Sequence, residues 1–172
     1  MKRKIILSVL IGLFFSNIII AQETKFEAIF LYNFTRQLGW PNSCQTGDIV
    51  IKVLGQSEIV DQINNFAKDK PVSGQNVVAQ LTTIDNLSDC HIIFITEEES
   101  DKVQSVLTSI GEKSILVVTE KANLIPDGAG VSFVKELDSE GDEVLKYQFN
   151  VVNIKKQNIK VSSDFKSLGI SL

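Results

Sequence analysis

The chain has 172 residues, with 17 Lys and Arg against 21 Asp and Glu, and 44% of its residues are hydrophobic. That composition excludes intrinsic disorder, and the length suits one domain with a real core. The acidic balance argues against a nucleic-acid partner, which needs a basic face to neutralise phosphates.

The first residues read as a targeting segment. Lys2, Arg3 and Lys4 precede an apolar stretch from Ile5 to Ile20, and Ala21 supplies a small residue for cleavage. A retained membrane anchor is the competing reading, because the apolar stretch falls just short of a bilayer span. The shift to Gln22-Glu23-Thr24 favours cleavage near Ala21, and no Cys near the junction offers a lipoprotein acceptor. The expected organisation is a signal peptide over 1–21 and one domain over 22–172. Removing the signal takes three basic and no acidic residues, leaving 14 basic against 21 acidic, a formal charge of −7.

The first predicted element is a helix in the stretch Lys25 to Pro41, with Phe26, Ile29, Phe30, Asn33, Phe34 and Leu38 at helical spacing. Thr24 and Glu27 form a capping box at its start, and Gly39-Trp40-Pro41 ends it. Asp48 to Leu54 is an apolar, β-branched strand suited to cover on both faces, and Gly55 turns the chain. Ser57 caps a helix carrying Ile59, Val60, Ile63 and Phe66. Asn76 to Gln80 and Cys90 to Ile95 read as strands. Thr96 to Glu99 is a second capping box, opening a helix with Val103, Val106, Leu107 and Ile110 inward, and Ser114 to Val118 is another strand.

After Pro126 to Gly130 the pattern changes to alternation. Val131–Lys135 and Val144–Phe149, joined through Asp138 to Glu143, predict an antiparallel hairpin. A short helix over Val151–Gln157, a strand over Asn158–Val161 and a last turn capped by Ser162-Ser163-Asp164 complete the chain. The fold class expected is α/β: a single domain with a mostly parallel three-layer sheet and a C-terminal antiparallel hairpin.

Catalytic signatures do not emerge. The one His, His91, neighbours Cys90 on a predicted strand, where adjacent side chains point to opposite faces and form no dyad. One His and two distant Cys have no zinc spacing. Gly128-Ala129-Gly130 lacks the spacing, Lys and following helix of a phosphate loop. Glu97-Glu98-Glu99 are helix-start charges rather than a cation site. No catalytic, cofactor-binding or metal-ligating residue is assigned, and no enzyme activity is expected. Cys44 and Cys90 leave two readings open, one disulfide or two free thiols.

Several ordered blocks carry a resemblance. Ala28 to Phe34 followed by Trp40-Pro41, then Ile51 to Gly55, Cys90 to Ile95, Ile115 to Glu120, Gly128 to Val134, Tyr147 to Asn150 and Ile159 to Ser163 together span nearly the whole exported part. In this order they resemble the YfiR-like family of exported regulatory domains. The resemblance implies a periplasmic, non-enzymatic α/β domain that binds and restrains an inner-membrane signalling protein through its periplasmic part. A diguanylate cyclase is the family's partner, placing the protein in cyclic-di-GMP signalling; a sensor kinase is the variant. An outer-membrane lipoprotein is a further implied partner. The family commonly has a Cys where this chain has Lys52, whereas its second Cys matches Cys90. Its disulfide therefore does not carry over directly, and Cys44 is the candidate substitute in a Cys44–Cys90 bridge. A periplasmic small-molecule binding module is the alternative function, using a crevice near Gly55, Thr96 and Thr119. Tyr32 and Trp40 are the expected surface contacts of the first helix, and Phe30 and Phe34 its core residues. The oligomeric state is left open.

Overall fold

The computed structural model describes residues 23–172, so the predicted signal peptide lies outside the described residues. Helical residues 23–37 form α1. The elements that follow are β1 (Leu38–Gly39), β2 (Ile49–Leu54), α2 (Ile59–Ala67), β3 (Val77–Thr82), β4 (Ile92–Ile95) and α3 (Val103–Ile110). Then come β5 (Leu116–Thr119), β6 (Val131–Leu137), β7 (Glu143–Phe149), α4 (Val151–Lys156), β8 (Lys160–Val161), α5 (Ser163–Leu168) and β9 (Ile170–Ser171). No described helix is long and apolar enough to cross a membrane.

Seven strands form one sheet in the order β3-β2-β4-β5-β6-β7-β9. The first five are mutually parallel, β6 and β7 make the antiparallel hairpin, and β9 returns parallel to β7. The five parallel strands follow a doubly wound order whose direction reverses between β2 and β4. The expected mostly parallel sheet with a C-terminal hairpin is the observed architecture.

Strand alternation divides the core in two. Ile92 and Phe94 of β4 and Leu116 and Val118 of β5 face a layer built from α1, α2, α4 and α5. Their neighbours Ile93, Ile95 and Val117 face α3 through Val103, Val106 and Ile110. Helices therefore cover both faces, and strands buried on two sides read as continuous apolar runs. On the α1 side the larger core is aromatic. Phe34 is fully buried, with its ring 4.9 Å from Tyr147 and 5.3 Å from Phe165, both edge-on. Phe30, at the margin of this cluster, meets Tyr147 at 5.4 Å.

Local signals held in part. Ser162 caps α5 by accepting from Phe165 N at 3.1 Å. Asn150, not foreseen as a cap, accepts from Val152 N and Asn153 N to start α4. Two expectations are corrected. Thr24 lies within α1 because Glu23 is already helical, so Thr24 is no N-cap. Thr96 makes no side-chain cap; a 3₁₀ turn over Glu97–Lys102 precedes α3, and its first N–H is taken by Glu120 Oε2 at 2.6 Å. Beyond α1, Leu38 and Gly39 leave the helix to pair antiparallel with Val161 and Lys160, which ends it earlier than Gly39 alone predicts.

Candidate functional site

In a doubly wound sheet, ligands bind outside the carboxyl ends of strands where the strand order reverses. Here that point lies between β2 and β4, at Gly55 and Thr96, and it is filled. Gly55 has φ +109°, and a β-carbon there would stand 2.0 Å from Thr96 Oγ1. Thr96 is buried, and its backbone N–H donates to Leu54 O at 3.1 Å. Thr119, the third residue expected to line a crevice, is fully buried and bonded to Ser132 Oγ at 2.7 Å.

Open space begins one strand further along. A cleft of about 520 Å³ lies between the start of α1, the segments following β4 and β5, and the β6–β7 hairpin. Glu23 and Glu27, one helical turn apart on α1, form one wall, and Glu97 and Glu120 form the opposite one. Lys121 stands exposed at the rim. Lys135 of β6 is paired with Glu23 at 2.8 Å. Phe133, Val134 and Leu145 supply apolar floor.

Glu27 is the unusual member. It is 2% exposed, and among the described residues it has no hydrogen-bond or ion-pair partner. Burial pushes its carboxyl up to about 8, reinforced by the charges of Glu120 and Glu23 and opposed by Lys135. Burial also raises Glu120, although the N–H of Glu97 partly offsets it. Glu27 was expected as the capping-box partner of Thr24; it instead lies buried on the core side of α1. Glu27 shares its face with Leu31 and Phe34, both fully buried, at a spacing of four and then three residues. That spacing was the signal.

An apolar groove of about 560 Å³ adjoins the cleft and shares Glu23, Lys135 and Leu145 with it. Phe26, Phe30, Val144 and Leu145 form its apolar surface, Glu143 joins Glu23 and Lys135 at its margin, and Phe26 is 46% exposed. Leu137, at the hairpin end of β6, is also exposed.

The residues singled out from sequence lie elsewhere. Tyr32 does not reach the surface: it is buried, its hydroxyl donates to Lys70 O at 3.0 Å, and its ring meets Phe66 edge-on. Trp40 is half-buried beside His91, ring centroids 5.6 Å apart. His91 accepts from Val50 N through Nδ1 at 3.2 Å, and its Nε2 lies 2.9 Å from Cys44 O. It is bonded locally at the strand start, apart from any dyad. Asn33 is half-buried.

Cys44 and Cys90 line one cavity at the amino end of the parallel strands, yet both are free thiols. The Cys90 thiol turns inward and donates to Leu87 O at 3.6 Å, and burial pushes it up to about 12. Cys44 Sγ lies 3.9 Å from Ser43 Oγ. Lys52 crosses from β2 to the same loop. It is 3% exposed, and its ammonium donates to Asn86 O, Asn86 Oδ1 and Ser88 O at 2.9, 3.2 and 2.5 Å. Three oxygens satisfy all three of its donors. Lys52 thereby ties the 83–89 connection to β2 by hydrogen bonds.

Among the described residues no three His, Cys, Asp or Glu groups could hold a metal ion. A family model described as YfiR/HmsC-like matches residues 24–169 of the chain. No curated protein matches it.

Proposed function

This chain belongs to the YfiR/HmsC-like family, and on that premise we propose that it is an exported regulator that acts by contact, without catalysis. Its partner is an inner-membrane signalling protein, a diguanylate cyclase or a sensor kinase, which it restrains through that protein's periplasmic part. An outer-membrane lipoprotein competes for the regulator and releases the restraint. The observation that carries the contact reading is Phe26, a large aromatic residue 46% exposed over the apolar groove between α1 and the hairpin. An exposed aromatic beside a shaped apolar groove suits a protein contact better than a solvated face.

Mild crosslinking and co-purification from envelope fractions is the test. Wild-type protein should recover a membrane signalling protein, and Phe26→Glu should lose it while keeping its melting temperature. If wild type recovers none, the contact reading is wrong.

The second reading is a periplasmic small-molecule binding module. One observation favours it: the open cleft beside Glu27, which has no ion-pair partner among the described residues. Thermal-shift screening separates the two, since a specific ligand raises the melting temperature without a partner.

A further inference from the structure

We propose that the cleft over Glu27 is a receptor for one organic cation, a primary ammonium or guanidinium group on a short alkyl stem. The headgroup supplies the direct ion-pair partner that Glu27 lacks among the described residues, and the stem lies on Phe133 and Leu145. This goes beyond the regulatory reading, because such a cleft binds its cation whether or not a membrane protein docks beside it.

The argument starts from charge placement. A carboxyl buried without a partner is costly, and a fold keeps one at little benefit unless something else completes the site. Glu27 is such a group, and it lines the cleft. Among the described residues, the charged groups that line the cleft beside it are Glu23, Glu97, Glu120, Lys121 and Lys135. Glu23 shares α1 and is paired with Lys135 of β6 at 2.8 Å. Glu120 follows β5 and holds the N–H of Glu97 through one oxygen. Glu97 follows β4, and exposed Lys121 stands at the rim. With the Glu23–Lys135 pair neutral, among the described residues three carboxyls face a single rim lysine, so the opening favours a cation.

The size and walls specify which cation. About 520 Å³ lies within the range of small-molecule sites and exceeds what a bare ion needs. Phe133, Val134 and Leu145 offer apolar surface for methylenes. Since no three metal-ligating groups converge among the described residues, a divalent metal is the poorer fit. Near neutral pH a cation beside Glu27 favours its ionised form, so binding releases a proton. Two sources share this chemistry: a free amine, and a basic side chain of a docked polypeptide.

Isothermal titration calorimetry in phosphate and in HEPES, which differ in ionisation enthalpy, tests the site near neutral pH. Agmatine is the free-amine probe and acetyl-Leu-Arg-Leu-amide the polypeptide probe. At least one should bind at one site and release up to one proton. Tighter binding of agmatine identifies a free amine, and tighter binding of the peptide a partner's side chain. Glu27→Gln should abolish proton release and weaken binding by about 10-fold or more. Should that variant not fold, Glu120→Gln serves: it should weaken binding several-fold while proton release persists. Neither probe saturating the site, binding without proton release, or a folded Glu27→Gln that binds like wild type would each overturn the proposal.

Discussion

Thr96 Oγ1 lies 2.0 Å from the position a β-carbon on Gly55 would occupy. The two residues seal the end of β2 against the end of β4, and the absence of a side chain at Gly55 lets them meet. Gly55→Ala should therefore act through two additive faults, a strained φ of +109° and a collision with a buried side chain. The expected loss is about 3 kcal/mol by urea denaturation. Adding Thr96→Ala should restore part of it, because the collision is relieved and the backbone strain remains. Equal stability of the single and double variants would place the whole cost in the backbone.

Lys52→Met should test the hydrogen-bonded tie between β2 and the 83–89 connection. Removing the ammonium leaves Asn86 Oδ1 and the Ser88 carbonyl without that donor, while Asn86 O keeps Thr82 Oγ1 at 2.7 Å. A loss of about 1–3 kcal/mol is expected. Hydrogen exchange should accelerate first in the connection and at the start of β4, with β6 and β7 unchanged.

Glu27 should make stability fall as the solution becomes more alkaline. Its folded-state pKa, about 8, lies above the ordinary carboxyl value of 4.5. Between those values the folded protein holds a proton that the unfolded chain has released. Stability therefore declines as pH rises from 4.5 to about 8, and levels off beyond. Glu27→Gln should flatten this decline and raise the melting temperature in alkaline buffer by roughly 2–8 °C. Parallel thermal melts of both proteins across that window provide the check; superimposable profiles would reassign the cause.

The two thiols should differ sharply in reactivity. Cys90 is buried, and its pKa of about 12 leaves little thiolate, whereas Cys44 sits partly exposed on the turn after Pro41. Without reductant, the folded protein should give one fast thiol with a disulfide reagent and two in denaturant. No thiols in denaturant would show that Cys44 and Cys90 are joined after export.

Much of the fold was legible because strands covered on both faces announce themselves: Ile92 to Ile95 is apolar throughout, Leu116 to Thr119 up to its last residue, and Ile49 to Leu54 everywhere but at Lys52. The hairpin was legible from alternation around Asp138, whose Oδ1 accepts from Glu140 N and Asp142 N. Of the short pairings, β8 falls within the strand expected over Asn158–Val161, but β1 and β9 gave no signal: each has two residues, and only tertiary pairing makes them strands. In α1, hydrophobicity outweighed register. Tyr32 was expected outside, yet it joins Ala28 and Thr35 on a second buried stripe. Glu27 was overlooked because a Glu three residues after a Thr at a helix start has an ordinary explanation as a capping box.

Contact between Phe34 and Phe165 joins the first described helix to the last. A polypeptide emerging from its N-terminus, through a ribosome or an export channel, presents Phe34 long before its partner arrives. Until α5 emerges, the aromatic side of α1 has only part of its cover and is available to other sticky surfaces. Acquisition of the native state is thus a late event, with much of the loop-closure entropy spent at the end of synthesis or passage. A chain stopped before Phe165 should persist as an aggregation-prone intermediate that engages holdase chaperones.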